Sequence, residues 1–247
     1  GPHGPAQGSD CRRGPSGMSS QWLFPTCDVV FKGTLRLFSK FSVQGRENVP
    51  RHGPLIIVSN HLSTLDPAIV AAAVGRKPGF LAKKELFKNP VMRFLMIGYG
   101  AFPVDRGKAD LRALNWSVRR LKTGGAVIMF PEGTRSRGQG LLKAHQGASL
   151  LATMTGAPVL PVALTGSEPL QNLLKVLAPV SRINLKIGEP FAVRIQGARA
   201  TREELDRITL ETMSRIARML PPEYRGEYAG TVDTAFEATF GMKPAAG

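Results

Sequence analysis

Residues 55–74 read LIIVSNHLSTLDPAIVAAAV, and this stretch alone indicates a strand, a polar turn and a helix. Leu55–Ser59 is a short run of apolar and β-branched residues, which is typical of a buried strand. Asp66 followed by Pro67 favours a helix start, with the aspartate as N-cap and the proline at the first helical position. The helix is predicted to run to about Val74. A strand followed by such a helix is the repeating unit of an α/β protein.

The same alternation continues through most of the chain. Thr201 and Glu204 have the spacing of a capping box, and the helix that they begin is expected to stop at Pro221-Pro222. We therefore expect an α/β domain over residues 47–221, with helices packed on a mostly parallel central sheet. Further strands are predicted at 79–82, 101–104, 126–130, 159–164 and 183–187, and further helices at 110–122 and 143–155.

The two ends of the chain have a different composition. Residues 1–20 are rich in Gly, Pro and Ser and contain no apolar stretch, so they are interpreted as a flexible extension and not as a signal peptide. Residues 222–247 are expected to form a loosely held tail. No apolar run approaches the roughly 18 to 20 residues of a transmembrane helix.

Residues 21–46 are predicted to form an amphipathic, membrane-associating helical segment. Lys32, Arg36 and Lys40 recur at a spacing of four and would share one face of a helix that is otherwise rich in apolar residues. Such a helix suits an anionic membrane surface. A helix that covers the core and has a solvated rim is an equally good interpretation of this pattern.

The charge balance limits the classes of partner. Lys and Arg number 33 against 18 acidic residues, and the formal charge of +15 attracts nucleic acid, anionic lipid headgroups or phosphorylated metabolites. Aromatic content is only 7%, and the most ordered basic spacing lies on an amphipathic helix, which disfavours a nucleic-acid-binding module. The two cysteines, Cys11 and Cys27, provide no disulfide framework, which fits a reducing compartment.

His61 and Asp66 are the first candidates for chemistry. They lie between the predicted strand and helix, where a tight turn can bring the carboxylate to one ring nitrogen of the imidazole. The other ring nitrogen can then take a proton from an alcohol. This is the arrangement of a Ser-His-Asp triad with a substrate hydroxyl in place of the serine. The alternative is an ordinary helix cap beside a polar loop histidine.

Three further blocks each follow or end an apolar run, so the polar residues in two of them are expected at the ends of predicted strands. Arg106, Glu132 and Arg135 are expected at the carboxyl edge of the sheet, where α/β proteins bind ligands. The two arginines can grip a phosphate bidentately, which lysine cannot do with the same geometry. The blocks are GAFPVDR at 100–106, FPEGTRS at 130–136 and APVLPV at 157–162.

The first block is NHLSTLD at 60–66. In order and combination, it and the three others resemble the blocks of the glycerolipid acyltransferase family, which includes 1-acylglycerol-3-phosphate (lysophosphatidic acid) acyltransferases and glycerol-3-phosphate acyltransferases. The resemblance covers a little under half of the chain. It implies that His61 and Asp66 are the catalytic pair and that Pro161 shapes the acyl-donor side. It also implies that five residues bind the glycerol phosphate of the acceptor: Arg106, Glu132, Gly133, Thr134 and Arg135.

Two further stretches bear on the resemblance. Residues 82–86, AKKEL, look like a stretch of the family whose lysine helps to polarise the thioester carbonyl, which makes Lys83 a candidate for that role beside its interpretation as a surface lysine. One departure lies at His145-Gln146-Gly147. Similar proteins often carry a lysine before this glycine, so the basic rim of the site is expected to differ here, and with it the headgroup preference.

The resemblance implies transfer of a fatty acyl group from acyl-CoA or acyl carrier protein to the free hydroxyl of 1-acylglycerol 3-phosphate, forming phosphatidic acid in phospholipid biosynthesis. A thioester is already activated, so no metal or redox cofactor is expected. The expected partners are the acyl carrier, the lysophospholipid and an anionic membrane, and not nucleic acid. The expected location is the cytoplasmic face of the cell membrane, with a peripheral or monotopic attachment.

Several alternatives stay open at this point. The acceptor can be glycerol 3-phosphate or another lysophospholipid, and a catalytically silent lipid-binding relative would carry the same blocks. A hydrolase is disfavoured because the sequence contains no Gly-x-Ser-x-Gly elbow, phosphate-binding loop or His-Glu-x-x-His helix.

Overall fold

The computed structural model describes residues 19–105, 110–195, 197–233 and 239–241. Over these residues, nine strands form one sheet flanked by six α-helices. The helices are α1 (Ser19–Phe38), α2 (Asp66–Val74), α3 (Pro90–Gly98), α4 (Leu111–Lys122), α5 (Gly147–Thr155) and α6 (Arg202–Met219). The strands are β1 (Lys40–Gln44), β2 (Leu55–Ser59), β3 (Pro78–Lys83), β4 (Ala101–Val104), β5 (Ala126–Met129), β6 (Val159–Thr165), β7 (Arg182–Ile187), β8 (Phe191–Val193) and β9 (Thr239–Gly241).

The sheet is mostly parallel, as predicted. Its order is β1-β7-β6-β2-β5-β3-β4, and every neighbouring pair from β6 to β4 is parallel. β7 runs antiparallel to β6, and β1 runs parallel to β7, so these two strands at one edge are reversed. β8 pairs antiparallel with β6 and with β9.

β2 lies near the centre of the sheet, and all of its residues are buried. Leu55 and Ile57 belong to the hydrophobic layer on the side of α1 and α2, whereas Ile56 and Val58 belong to the layer on the side of α5 and α6. Both faces of the strand are therefore covered by helices, which explains its continuous apolar run.

The predicted helix over residues 21–46 is wrong at its C-terminal end. α1 ends at Phe38, and Lys40 begins β1, which pairs with β7. Within β1, Phe41 and Val43 are half-buried while the intervening residues are exposed, which is the period of a strand and not of a helix. Lys40 therefore does not share a helical face with Lys32 and Arg36, and the α/β domain begins at β1.

The prediction of a loosely held tail after residue 221 is wrong for its first part. Residues 222–231 form two 3₁₀ turns that pack on the loop before α5. Both backbone groups of Leu141 are bonded to this segment, through Tyr224 O at 2.9 Å and Glu227 N at 3.0 Å. Tyr228 is buried, and its hydroxyl accepts a hydrogen bond from the backbone N–H of Ala144. The predicted helix over 143–155 accordingly begins only at Gly147.

Other local predictions are confirmed. Thr201 and Glu204 form both bonds of a capping box at the start of α6. α5 ends at Gly156, which adopts the left-handed conformation with φ 65°. Among the described helices, none combines the length and the apolar character needed to cross a membrane. The predicted flexible extension lies, except for residues 19 and 20, outside the described residues.

The fold brings three loops to one edge of the sheet. The parallel strands β6, β2 and β5 are neighbours, so the loops that follow them start side by side. From β2 the chain crosses to β3 on one side, and from β5 it crosses to β6 on the other. Open α/β sheets bind ligands at such a change of direction.

Candidate active site

His61 and Asp66 are in contact at this edge. Nδ1 of His61 lies 2.8 Å from Oδ2 of Asp66, and both residues are buried, with relative exposures of 6% and 0%. A carboxylate acceptor places the ring proton on Nδ1 and leaves a lone pair on Nε2. Nε2 makes no hydrogen bond to a residue that the structure describes.

Asp66 accepts hydrogen bonds from five donors. Oδ2 accepts from the backbone N–H groups of Leu62 and Ser63, each at 2.6 Å, as well as from His61. Oδ1 accepts from the hydroxyls of Ser63 and Ser167, each at 2.7 Å. A fully buried carboxylate needs such compensation, because its desolvation is costly. The donors hold both oxygens and so fix the carboxylate against the imidazole.

The predicted role of Asp66 as the N-cap of α2 is wrong. The N-cap is Leu65, and Asp66 is the first residue of the helix, with no side-chain bond into the first turn. Its carboxylate turns back toward the preceding loop. Asp66 therefore organises the turn that carries His61.

Glu132 holds the backbone of His61. Oε1 of Glu132 accepts the backbone N–H of His61 at 2.9 Å, and Oε2 accepts that of Leu142 at 3.0 Å. The backbone carbonyl of His61 accepts from Ser136 N at 2.9 Å, and its ring stacks on Phe130 with centroids 4.4 Å apart. Burial raises the pKa of Glu132 to about 7, although its two backbone donors act in the opposite direction. Glu132 thus faces inward and positions the histidine.

Arg135 lies in a network that spans two loops. Its Nη1 donates to Oγ1 of Thr64 at 2.9 Å and to Oε1 of Gln171 at 2.7 Å. Gln171 in turn donates to the backbone carbonyls of Leu62 and Glu168. The guanidinium is therefore held beside the His61 turn, with N–H groups on its other nitrogens left to contact an anion.

Gly133 and Thr134 are exposed at the tip of the same turn. Gly133 has φ 67°, and a Cβ added there would lie 3.3 Å from Cδ2 of His145. The backbone N–H of His145 donates to Pro131 O at 2.9 Å. The stretch His145-Gln146-Gly147, which is expected to differ from similar proteins, therefore begins directly beside the turn that carries Arg135.

The other predicted residues lie farther from the His61–Asp66 dyad or outside the described ranges. Lys83 is exposed at the end of β3, on the same edge of the sheet but two strands away from β2. Arg106 lies outside the described residues. Pro161 is buried within β6, level with Val58, and its carbonyl accepts from Gly188 N at 2.9 Å. The structure therefore places Pro161 inside the sheet and not beside His61.

Tyr224 connects both loops that hold the dyad. Its hydroxyl interacts with the Glu168 carboxylate and with the backbone of Gly166, in the loop that carries Ser167. Its carbonyl accepts from Leu141 N, in the loop whose next residue bonds Glu132. Burial is the main reason that the pKa of Tyr224 is raised to about 12.

Four residues of this arrangement were not predicted: Ser63, Ser167, Gln171 and Tyr224. Ser63 lies inside the first block and is the only one with a local signal, since it is a short polar residue three positions before Asp66. The described residues contain no cluster of three or more His, Cys, Asp or Glu side chains suited to a metal.

Fold and site together define a class of protein. It is an α/β protein in which a buried aspartate orients a histidine and leaves the second ring nitrogen available, beside an arginine suited to an anionic group.

The comparisons with known proteins agree with this class. A family model described as Acyltransferase matches residues 40–165. The 1-acyl-sn-glycerol-3-phosphate acyltransferase of Bacillus subtilis is 31% identical over 172 residues, covering 68% of this chain and 82% of that protein. The chloroplastic one of Brassica napus is 35% identical over 133 residues, which cover 53% of this chain but only 38% of that relative.

A solved structure is also similar. The 1-acyl-sn-glycerophosphate (LPA) acyltransferase PlsC of Thermotoga maritima has a TM-score of 0.61 and 29% sequence identity, over 78% of this chain and 77% of that one. The chain belongs to the acyltransferase family, and the resemblance stated from its sequence is confirmed.

Proposed function

We propose that this protein transfers a fatty acyl group from a thioester, carried by CoA or acyl carrier protein, to the free hydroxyl of 1-acylglycerol 3-phosphate. The observation that carries the proposal is the buried contact of 2.8 Å between His61 Nδ1 and Asp66 Oδ2. The names of the similar proteins from Bacillus subtilis and Thermotoga maritima support the choice of acceptor.

The proposed reaction needs no nucleophile from the enzyme. Nε2 of His61 removes the proton from the acceptor hydroxyl while the oxygen attacks the thioester carbonyl. The tetrahedral intermediate then collapses, the carbon–sulfur bond breaks, and the leaving thiolate takes the proton from His61. Asp66 stabilises the imidazolium that exists between these two proton transfers.

Arg135 is the described residue best suited to the phosphate of the acceptor. Thr64 and Gln171 fix its side chain, which reduces the entropy lost when a phosphate binds. A fixed phosphate contact would hold the acceptor hydroxyl near His61, and such positioning is a large part of catalysis with two separate substrates.

The proposed site of action is the cytoplasmic face of the cell membrane, with peripheral attachment. Val30 and Leu37 on α1 are 58% and 76% exposed, and Leu177 in the segment after β6 is 66% exposed. The hydroxyl of Thr34 donates to Val176 O at 3.0 Å and so joins α1 to this segment. Neighbouring exposed apolar residues of this kind are typical of a surface that contacts lipid.

The test is an acyl-transfer assay with purified protein, labelled acyl-CoA or acyl carrier protein, and a panel of acceptors, with products resolved by mass spectrometry. We expect phosphatidic acid from lysophosphatidic acid, and a fall of about 100-fold or more in His61→Ala. His52→Ala changes an exposed loop histidine and serves as the control. Vesicle binding by His61→Ala should equal that of the parent.

Each of the other outcomes would contradict the proposal in a different way. A preference for glycerol 3-phosphate or another lysophospholipid would replace the acceptor. Release of free fatty acid without any acceptor would indicate a hydrolase. Vesicle binding without turnover of any acceptor would indicate a catalytically silent lipid-binding protein, and parental activity in His61→Ala would refute the general-base role.

A further inference from the structure

A basic cavity of about 260 Å³ lies between α1, β1 and the C-terminal end of α2. Its walls include the cationic side chains of Lys32, Arg36 and Arg46, and the half-buried ring of Phe41. The small residues at 72–75, at the end of α2 remote from Asp66, leave the space between these side chains. The cavity is therefore separate from the His61 turn.

The cavity carries more positive charge than its surroundings neutralise. Arg36 and Arg46 are exposed, and their guanidinium groups form no ion pair or hydrogen bond with residues in the described ranges. Lys32 pairs with Asp28 at 2.6 Å. The carbonyl end of α2 adds roughly half a negative charge. The cavity thus has three cations, and one carboxylate and this partial charge neutralise only part of them. The excess of positive charge favours a bound anion.

The position of the cations relative to the apolar surface indicates which anion fits. Lys32 and Arg36 are four residues apart on α1 and lie on one flank of the exposed strip formed by Val29, Val30 and Leu37. A phospholipid likewise has a negatively charged phosphate beside two apolar acyl chains. Its chains can lie along the apolar strip while its phosphate enters the cavity.

We propose that this cavity binds the phosphate group of an anionic membrane phospholipid that is not a substrate. The inference rests on the proposed membrane function and adds a specific lipid contact to it. The bound lipid would hold α1 in the plane of the headgroups and leave the acceptor to enter at the carboxyl edge of the sheet.

The test compares two double variants that remove the same charge. Arg36→Gln/Arg46→Gln changes the cavity, whereas Arg119→Gln/Arg207→Gln changes exposed arginines on α4 and α6. Binding is measured by co-sedimentation with vesicles of phosphatidylcholine alone and with added phosphatidylglycerol, at fixed salt. A basic residue near an anionic surface contributes roughly fivefold in affinity. We therefore expect the cavity variant to lose about tenfold or more on the anionic vesicles, and the control variant less than about twofold.

Three results would overturn the inference. Equal losses in the two variants would mean that only net charge matters. Unchanged binding by the cavity variant would mean that the cavity takes no lipid. Calorimetric binding of inorganic phosphate or glycerol 3-phosphate that is lost in the cavity variant would mean that the site serves a soluble anion.

A transfer assay in detergent micelles separates this inference from the proposed function. The cavity variant should retain the parental turnover there, because its substitutions lie away from the His61 turn. If the parent itself shows no transfer, the proposed function fails, whatever the vesicles show. Thermal unfolding of both double variants verifies that they are folded.

Discussion

The hydroxyl of Ser167 donates a hydrogen bond of 2.7 Å to Oδ1 of Asp66, although the two residues are 101 positions apart in the chain. Ser167 is fully buried in the loop that follows β6, whereas Asp66 begins the helix that follows β2. The bond thus joins two neighbouring strand ends at the Asp66 carboxylate. Because Oδ2 faces His61, a donor fixed on Oδ1 limits rotation of the carboxylate away from the ring.

Removing this donor should affect turnover more than substrate binding. For Ser167→Ala we expect kcat to fall by about three- to tenfold with little change in KM. A hydrogen bond to a charged group contributes about 1.5 to 3 kcal/mol, but Oδ1 keeps its second donor, Ser63, so only part of this should be lost from the transition state. Ser117→Ala is the matched control, because Ser117 is equally buried but donates to a carbonyl within α4. A fall in kcat of the same size in both variants would show a general loss of stability.

The surroundings of Asp66 predict the outcome of Asp66→Asn. The new amide oxygen can accept from His61 and the backbone donors, while its nitrogen faces the hydroxyls of Ser63 and Ser167, which can turn to accept. The tautomer of His61 is then kept and only the negative charge is lost. We expect kcat to fall by less than the roughly 10⁴-fold found where a triad histidine takes the wrong tautomer. Nitrogen NMR of the imidazole reports the tautomer, and a proton on Nε2 would contradict this account.

The buried carboxyl of Glu132 should make stability depend on pH. Because its pKa is raised from 4.5 to about 7, the folded protein keeps a proton that the unfolded chain loses. The stabilisation is complete below pH 4.5 and is lost as the pH rises through about 7. Relative to Glu132→Gln, the free energy of unfolding of the parent should fall by at most about 3 kcal/mol over this window. Denaturant unfolding of both proteins at several pH values measures this difference, and a difference that does not change with pH would refute the assignment.

Loss of the Tyr224 hydroxyl should lower the kcat that depends on His61 and Asp66. Tyr224→Phe removes the interactions of the hydroxyl with Glu168 and Gly166, beside the loop of Ser167. We expect a loss of about 1 kcal/mol in the free energy of unfolding and a fall of several-fold in kcat. Tyr99→Phe is the control, because the buried Tyr99 hydroxyl has no hydrogen-bond partner among the described residues. Parental kcat in Tyr224→Phe would show that the bridge does not affect catalysis.

Arg135 should control the affinity for the acceptor phosphate. A lysine cannot bond Thr64 and Gln171 and still offer a planar pair of donors to a phosphate. We expect Arg135→Lys to raise KM for lysophosphatidic acid by about tenfold with a smaller effect on kcat. The KM for a monoacylglycerol, which lacks the phosphate, should stay unchanged. Arg137→Lys, at an exposed neighbouring position, is the control.

The parts of the fold that could be predicted are those with local signals. β2 and α2 follow from the continuous apolar run and the polar turn between them, and α6 follows from its capping box. The helical prediction fails at β1 because its partner β7 is distant in the sequence and because Lys40 continues the helical spacing of Lys32 and Arg36. Strand pairing over such distances leaves no local pattern.

The site could be predicted only in part for the same reason. The His61–Asp66 contact is local, and the blocks of the family resemblance led to Glu132 and Arg135. The resemblance placed Glu132 at the acceptor phosphate, whereas in the structure it holds the backbone of the histidine. Ser167, Gln171 and Tyr224 are polar residues in loops far from His61, and only the folded chain brings them to it.

The five donors around Asp66 also bear on how this active site can change during evolution. Four of them belong to the scaffold, so a substitution at Asp66 disturbs the turn and the loop after β6, even in a protein with no need for catalysis. The side chain of His61, in contrast, makes its one hydrogen bond among the described residues to Asp66 and does not hold the turn or the loop after β6. A descendant that drifts to a non-enzymatic role would therefore lose the histidine first, and a retained aspartate without its histidine would mark a former enzyme.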